Sequence, residues 1–532
     1  MICTLLLLAC NDKGPDTDGP ADDTSPTTDD TQVETGDPPD DTGDTDTEEP
    51  EGDWVKTATE KGSWAEAYGY EVATYTLSEA AADQYDSLYD GERPTFYMVR
   101  PVEPDASREY PVLAWFHGGT IGDDSKEVPD ACSQENVTDF AYGAAFDPHF
   151  VPRWVADREW VMVIPRNDWC DAWQGMGVDD PVDPEHHFGY YHAARALDWV
   201  RADESGLKVS DDLYGWGTSA GAHGVTTFAA RYGNFDSIIF DSGIGSMFMY
   251  YTLNDQAAGR HIFGGDPYTK SGDPNGDIWQ RYADSSPYYL VGEAGFDVPM
   301  FVPWNSQDTL VQDTQIGSLL DAIGTTWDDT ARWGSHDYNH KAPGTLFHVQ
   351  SVYGFSPWGY FGNAYLDFLE GKNLHIVEAE DGCAVGGQPC NIGEVITDNE
   401  IGSAYAAFSG ATVRESGIGE AGTLYSGRVP SEVPAGASVK AYVAMRGDNY
   451  DGIDGSQEFG AIQYTENATV AAATTLTVGD LSPEVGATDQ EMVAQYHTTA
   501  VEFTAGKGTD RYVTVISAGR IVLAVDAVLF TW

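Results

Sequence analysis

Apolar and polar positions between residues 54 and 372 follow two patterns in turn. Nearly continuous apolar runs at Pro111–Phe116 and Trp160–Pro165 predict strands that are buried on both faces. Stretches of helical periodicity at Phe188–Arg201 and Ala220–Tyr232 predict amphipathic helices around such strands. This alternation predicts an α/β domain whose mostly parallel sheet carries helices on both faces.

Residues 373–532 have a different pattern. Short runs rich in Val, Ala, Thr and Ile, such as Ala441–Met445, Thr474–Val478 and Arg511–Ile516, are separated by Gly, Asp and Pro. No convincing helical period interrupts them, so the pattern predicts an all-β sandwich. We therefore expect a large α/β domain at 54–372 and a β-sandwich domain at 373–532.

The first 53 residues contain one short apolar run and then a polar segment. Leu7-Leu8-Ala9-Cys10 resembles the bacterial lipobox, which implies that residues 1–10 are a lipoprotein signal peptide and that Cys10 carries the lipid. An ordinary cleaved signal is the alternative. Residues 11–53 have 17 acidic residues and one Lys, so we expect a disordered, self-repelling tether. The resemblance implies export and attachment to a bacterial membrane through the lipid alone, facing the periplasm or the cell surface.

Charge and cysteine usage agree with export. The chain has 86 Asp+Glu against 27 Lys+Arg and a net charge of −59, which argues against nucleic acid as a partner. Cys132, Cys170, Cys383 and Cys390 follow the signal, and four cysteines permit three disulfide connectivities. We favour Cys132–Cys170 and Cys383–Cys390, because each pair lies within one predicted domain.

The most informative motif is Gly217-Thr218-Ser219-Ala220-Gly221. It follows an apolar strand, Leu213–Trp216, and begins a predicted helix, which is the context of a nucleophile elbow. Glycine is needed on both sides of the serine because neighbouring backbone passes too close for a Cβ atom. Ser219 is therefore the candidate nucleophile.

A second motif, His117-Gly118-Gly119, lies about a hundred residues upstream, after the apolar run that ends at Phe116. With the Ser219 motif it resembles the α/β-hydrolase superfamily, which places such a segment after its third strand. The resemblance implies an oxyanion hole in which backbone N–H groups at Gly119 and Ala220 stabilise the tetrahedral intermediate.

The resemblance also implies an acid between the nucleophile and the catalytic histidine in chain order. The apolar run Pro299–Val302 looks like the superfamily's seventh strand, and Asp308 in the following turn is the candidate acid. It would orient the imidazole and stabilise its protonated form. Asp241, at the end of the strand after the nucleophile, is the alternative.

His336 is the candidate base. The predicted strand Thr325–Trp333 is followed by Gly334-Ser335-His336-Asp337, which resembles the superfamily's Gly-x-His segment after its last strand. His340 and His348 stay open as alternatives. His223, one helical turn after Ser219, is expected to be a helix residue, and the insertion Phe248–Tyr289 to be a lid or surface decoration.

The C-terminal domain resembles jelly-roll carbohydrate-binding modules in its first strand, Ile376–Asp381, and its last, Leu523–Phe530. In such modules, acids on these strands hold a structural calcium ion, and Glu378 and Glu380 share one strand face. A purely structural sandwich is the alternative.

Taken together, these features predict an exported serine carboxylesterase that acts on an ester, including polysaccharide-linked esters, through an acyl-enzyme. No metal or cofactor is expected for catalysis. A serine peptidase of the same fold and a non-catalytic polysaccharide-binding surface protein are the alternative functions.

Overall fold

The structure is a computed structural model that describes residues 53–60, 68–82, 95–116, 155–165, 191–202, 205–231, 235–253, 260, 263, 265–293, 296–306, 308, 311–327, 332–337, 362–379, 383, 390–397, 412–448, 456–477 and 497–532. The strands of the first domain are β1 Trp54–Glu60, β2 Tyr70–Leu77, β3 Thr95–Pro101, β4 Tyr110–Phe116, β5 Val161–Pro165, β6 Val209–Thr218, β7 Ser237–Asp241, β8 Met300–Trp304 and β9 Trp333–Asp337. Its helices are α1 Glu79–Ala82, α2 Tyr191–Arg201, α3 Ala220–Arg231, α4 Met247–Leu253, α5 Gly276–Asp284, α6 Pro287–Leu290, α7 Asp313–Thr326 and α8 Gly362–Leu369.

The nine strands form one mixed sheet in the order β1-β2-β3-β5-β4-β6-β7-β8-β9. Strands β1, β2 and β3 pair antiparallel, as do β3 and β5. From β5 to β9 every neighbouring pair is parallel. The carboxyl ends of these strands therefore meet at one edge of the sheet.

The sheet is apolar on both faces, as the continuous runs predict. In β4 the buried side chains alternate between two cores: Val112, Ala114 and Phe116 belong to one, and Leu113 and Trp115 to the other. Helices α2, α3 and α7 cover the first face. Helix α8 packs on the second face.

The C-terminal domain consists of two antiparallel sheets. Its strands are β10 Leu374–Glu378, β11 Glu394–Thr397, β12 Thr412–Ser416, β13 Ala421–Arg428, β14 Ser438–Asp448, β15 Glu458–Glu466, β16 Thr469–Thr477, β17 His497–Thr504, β18 Arg511–Ala518 and β19 Val522–Thr531. A six-stranded sheet has the order β11-β12-β19-β14-β17 with β10 also on β19, and β13-β18-β15-β16 form a second sheet. Apolar side chains from both sheets share one buried core.

The sandwich packs directly on the second face of the first domain. Tyr442, Ala444, Ala524, Ala527 and Leu529 belong to the same buried core as the apolar side chains of α8. These residues lie on β14 and β19 and alternate with those that face the sandwich interior. Both domains therefore lie in one compact unit, Asp53–Trp532.

Asp367 of α8 is the polar centre of this interface and is fully buried. Its carboxylate accepts hydrogen bonds from Arg158 Nη2 at 3.0 Å and Lys372 Nζ at 2.6 Å. From the sandwich it accepts hydrogen bonds from Tyr442 Oη at 2.9 Å and Thr531 Oγ1 at 2.7 Å. A buried carboxylate that has two cationic partners and two hydroxyl donors is well compensated for its desolvation.

The predicted fold class, an α/β-hydrolase fold with a C-terminal β-sandwich, is confirmed by these sheets and helices. The predicted last strand at Thr325–Trp333 is wrong, because α7 continues to Thr326 and the strand begins at Trp333.

The pair Cys383–Cys390 is bonded as predicted, whereas Cys132 and Cys170 lie outside the described residues. The domain boundaries at 10, 53 and 372 stay predictions. No helix in the described part of the chain is both long and apolar enough to cross a membrane.

Candidate active site

Ser219 occupies a strained turn between β6 and α3. Its φ is 56°, a left-handed conformation that non-glycine residues rarely adopt. Strand β6 ends at Thr218 and helix α3 begins at Ala220, so the predicted strand–turn–helix context is confirmed. Ser219 is partly exposed, whereas Thr218 is fully buried. The turn thus presents the serine at the carboxyl edge of the sheet.

The glycine at position 217 is explained by a backbone contact. A Cβ atom on Gly217 would lie 2.1 Å from the carbonyl oxygen of Gly221. No side chain fits there, so the first turn of α3 can pass this close to β6 only if residue 217 is glycine.

The elbow is also fixed by the neighbouring strand. The backbone N–H of Ser219 donates to the carbonyl oxygen of Asp241, at the end of β7, at 2.9 Å. The Ser219 carbonyl accepts a hydrogen bond from Ala222 N at 3.0 Å. Backbone hydrogen bonds on both sides therefore hold the serine in a conformation that costs of order 1–3 kcal/mol.

The site lies where the strand order reverses. Strand β4 has β5 on one side and β6 on the other, and ligands of open α/β sheets bind outside the carboxyl ends of strands at such a point. Ala220 is the first residue of α3, where backbone N–H groups point out of the helix end. His117, Gly118 and Gly119 lie outside the described residues, and the oxyanion hole at Gly119 and Ala220 stays a prediction.

Asp308 lies in the turn after β8 and is 8% exposed. Its N–H donates to the Asn305 carbonyl at 3.0 Å, and its Oδ1 accepts the N–H of Val311 at 3.0 Å. These bonds fix the loop between β8 and α7. Asp308 therefore sits at the same sheet edge as Ser219, two strands away from β6.

Asp241, the alternative acid, ends β7 directly beside β6 and is fully buried. Its Oδ1 accepts a hydrogen bond from Ser242 Oγ at 3.2 Å, and its backbone holds the nucleophile turn. Both acids are thus positioned at the carboxyl edge of the sheet, and Asp308 is the more exposed of the two.

His336 lies within β9, where the sequence predicted a loop after the last strand. Its Nε2 is 3.0 Å from Glu378 Oε1 on β10 of the sandwich. The side chains are 10% and 16% exposed. No sequence pattern indicates this pairing, and Glu378 was instead predicted as a calcium ligand.

The sheet register places His336 three strands from Ser219. In the sheet register, Thr218 pairs with Asp241 and Pro303 pairs with His336. Between these pairs, the backbone N–H of Ser242 donates to the Pro303 carbonyl. Three strand spacings, about 14 Å, therefore separate the backbone at His336 from the start of the elbow. Catalytic proton transfer requires about 3 Å between the serine oxygen and the imidazole nitrogen, and the assignment of His336 as the base stays a prediction. His340 and His348 lie outside the described residues.

His223 is a buried helix residue, as predicted. It is 3% exposed, and its Nε2 contacts the carbonyl oxygen of Ser285, next to α5. Burial lowers its pKa to about 4, although the bond to Ser285 opposes this shift. His223 is therefore neutral near pH 7 and links helix α3 to the insertion.

The insertion 248–289 is largely helical where it is described, with α4, α5 and α6 against the first core.

For the sandwich, no cluster of three or more His, Cys, Asp or Glu side chains suited to a metal occurs among the described residues. Glu378 faces His336, and Glu380 is not among the described residues, so structural calcium stays a prediction.

No protein-family model matches the chain, and no curated protein matches it. Similar solved structures include the acylaminoacyl peptidase of Pyrococcus horikoshii, at 12% identity over 60% of this chain and 49% of that chain, with a TM-score of 0.35. An S-formylglutathione hydrolase of Agrobacterium tumefaciens is 15% identical over 59% of this chain and 98% of that one, with a TM-score of 0.37. A lipase/esterase of Lactobacillus plantarum is 16% identical over 56% of this chain and 97% of that chain, with a TM-score of 0.33. The chain thus spans about half the length of the peptidase, and likeness at this level assigns it no activity.

Proposed function

We propose that this protein is a serine hydrolase whose nucleophile is Ser219. The observation that supports this most is the elbow itself: a strained serine, partly exposed, held at the carboxyl edge by a Gly217–Gly221 contact that admits no side chain. Strain at a single non-glycine residue persists where the surrounding structure enforces it, and such residues cluster at active sites.

In the proposed reaction, the Ser219 hydroxyl oxygen attacks the acyl carbon of an ester while a histidine takes its proton. The resulting oxyanion is stabilised by backbone N–H groups at Ala220 and Gly119. The histidine then gives the proton to the departing alcohol, which leaves an acyl-enzyme. Water, deprotonated by the same histidine, releases the acid and restores Ser219.

Asp308 is the proposed acid that orients the histidine. It lies at the correct sheet edge, in a loop fixed by Asn305 and Val311. For the base, the engagement of His336 with Glu378 favours a histidine in the segment that follows β9, where His340 and His348 lie. We propose that the base is one of these two.

The proposed substrate is a carboxylic ester, and the resemblance of the sandwich to carbohydrate-binding modules supports esters attached to a polysaccharide. Hydrolysis of p-nitrophenyl esters of increasing acyl length, aryl esters and acetylated xylan, beside a peptide p-nitroanilide, distinguishes esterase from peptidase. We expect ester turnover and at most traces of amide turnover. Amide turnover equal to ester turnover would make the protein a peptidase.

The nucleophile is tested with Ser219→Ala, which should lower kcat at least 10³-fold. Ser210→Ala, at the other end of β6, is the matched control: Ser210 bonds only to nearby Asp212 in the described structure, so its loss should not change kcat. A fluorophosphonate probe should label the wild type and the control but not Ser219→Ala. Equal labelling of all three proteins would refute the assignment.

The base is tested by alanine variants of His336, His340 and His348. The catalytic histidine should lose about as much kcat as Ser219→Ala, because members of a catalytic triad act as a unit. We expect this loss at His340 or His348 and a much smaller one at His336. A loss at His336 as large as that at Ser219, in a folded protein, would identify His336 as the base, as the sequence predicts.

Export and lipid attachment at Cys10 are part of the proposal, and the lipobox-like segment is their support. In a bacterial host, Cys10→Ser should move the protein from the detergent-rich phase to the aqueous phase without changing kcat. Wild-type protein in the aqueous phase would contradict the anchor and leave the catalytic proposal intact.

A further inference from the structure

Strand β9 is the last described strand of the nine-stranded sheet, so its outer edge pairs with no other described strand of that sheet. Side chains from β9 and from the residue before it contact four other parts of the protein. Arg332 Nη1 donates to the Lys372 carbonyl at 3.1 Å, and its guanidinium lies 4.4 Å from the centre of the Phe368 ring. His336 contacts Glu378 at 3.0 Å. The edge strand is thus held by α8, by the linker after it and by the first strand of the sandwich.

The third bond reaches the loop of the proposed acid. Asp337 Oδ1 accepts the backbone N–H of Ser306 at 2.8 Å, two residues before Asp308. Adjacent side chains of a strand point to opposite faces, so His336 faces the sandwich while Asp337 faces the other way. Strand β9 therefore mechanically connects Glu378 to the Asp308 loop.

Glu378 is itself rigidly placed. It ends β10, which pairs antiparallel with β19, and Glu378 is level with Ala527 in the middle of the sandwich's six-stranded sheet. Its side chain and that of His336 are mostly buried, so solvent competes weakly for their hydrogen bond. A loop at an active site is held most accurately by groups on regular elements of this kind.

We propose that Glu378 is a positioning residue for the active site: its hydrogen bond to His336 fixes β9, and β9 in turn holds Ser306, two residues before Asp308. The sandwich is then a structural part of the catalytic apparatus. This inference rests on the proposed function for its catalytic consequence, and its structural consequence is measurable without any substrate.

The test uses Glu378→Ala in the full chain. Displacing catalytic groups by about 1 Å can cost about 10²-fold in rate, so kcat should fall 10- to 100-fold while KM changes less than threefold. Glu378→Gln keeps a carbonyl oxygen that can accept the imidazole N–H, and it should retain kcat within about threefold of wild type. Glu502→Ala is the matched control, because Glu502 pairs with Lys440 at 2.9 Å on the exposed surface of the same domain.

Amide hydrogen exchange provides the readout that needs no substrate. In Glu378→Ala, peptides covering residues 333–337 and 304–308 should exchange at least fivefold faster, whereas peptides covering 237–241 should not change. Glu502→Ala should change none of them. Tyr442→Phe, which removes a different bond between the domains, should lower Tm without the selective increase at 304–308.

The two proposals fail in different ways. If the wild type hydrolyses no ester and no amide, the proposed function is wrong, and the exchange data alone decide the inference. Unchanged exchange at 304–308 in Glu378→Ala would overturn it whatever the activity. So would wild-type kcat in Glu378→Ala with an active parent, or an equal loss of kcat in Glu378→Gln.

Discussion

The buried His223 makes the stability of the protein depend on pH in a calculable way. Its pKa in the folded protein is about 4, because burial disfavours the charged imidazole, whereas an unfolded chain has a histidine pKa of about 6.5. Between these two values the unfolded state binds a proton that the folded state does not. Stability therefore rises with pH across this window and falls as the pH is lowered from 6.5 to 4.

The magnitude follows from the difference of about 2.5 pKa units, which corresponds to about 3 kcal/mol lost by pH 4. Urea unfolding at intervals of half a pH unit from 7.5 to 4 measures it as the difference between the wild type and His223→Gln. The glutamine amide can still donate to the Ser285 carbonyl but does not titrate, so the variant should lack this part of the pH dependence. Subtracting the two curves removes the contribution of the carboxylates, which titrate in both proteins.

Thr227→Ser is the control for this experiment. The hydroxyl of Thr227 bonds to the His223 carbonyl one turn further along α3, and serine keeps both that bond and the histidine. Its curve should run parallel to that of the wild type. Parallel curves for the wild type and His223→Gln would show that His223 titrates alike in both states and would refute the reasoning.

Two further predictions concern the elbow and the domain interface. Gly217→Ala should cost about 3 kcal/mol or more in the free energy of unfolding, because its Cβ would overlap the Gly221 carbonyl oxygen at 2.1 Å, whereas Gly317→Ala, in α7 with open space around it, should stabilise by about 0.5–1 kcal/mol. Urea unfolding compares the two, and similar effects would contradict the close approach. Asp367→Ala removes the acceptor from buried donors and should cost about 3–5 kcal/mol by the same assay. A cost below about 1 kcal/mol would mean that Asp367 does not organise the interface.

The sequence predicted the nucleophile region well because every local signal there agrees. An apolar strand, two glycines and a helix of clear period surround Ser219, and the central strand β6 needs burial on both sides. Continuous apolar runs of this kind are the strongest indication of a central parallel strand. The position of the loop after β8 was also predictable from the sequence, because the apolar run of a buried strand leads directly to it.

The last strand of the sheet was predicted in the wrong place for a physical reason. Strand β9 has the sequence Trp333-Gly334-Ser335-His336-Asp337, and none of these residues is fully buried. An edge strand that is only partly covered needs no apolar alternation, so periodicity cannot reveal it. The Thr-rich end of α7 resembled a strand instead, because β-branched residues favour that conformation.

The packing of the sandwich on the first domain could not be predicted from the sequence either. Its contact face uses Ala444, Ala524 and Ala527, small residues that match a strand facing solvent as well as one facing a helix. The polar partners of Asp367 come from positions as far apart as Arg158 and Thr531. A pairing over such separations leaves no local pattern, and only the folded chain brings the partners together.

This packing leads to a last prediction, about truncation. A binding module on a free linker can be removed without harm to the domain that precedes it, but here removal of residues 373–532 would strip the cover from α8. Leu529 alone, when fully buried, contributes about 1.5–3 kcal/mol, and Tyr442 adds a larger apolar area. The free energy of burial that is lost with the sandwich would be a large part of the 5–15 kcal/mol that typically stabilises a domain.

Asp367 makes the truncation worse. Burial raises its pKa, but the hydrogen bonds from Lys372 and Thr531 and the charges of Arg158 and Lys372 outweigh burial and hold its pKa below the usual range. Without the sandwich the carboxylate loses the hydroxyls of Thr531 and Tyr442, and an apolar face is opened beside it. We therefore expect a chain ending at Lys372 to be insoluble or to unfold at least 15 °C below the full chain, and a chain lacking residues 1–52 to keep the Tm of the full chain. A soluble chain ending at Lys372 with an unchanged Tm would show that the sandwich is a removable appendage, because only an independently stable first domain could tolerate the exposure of this face.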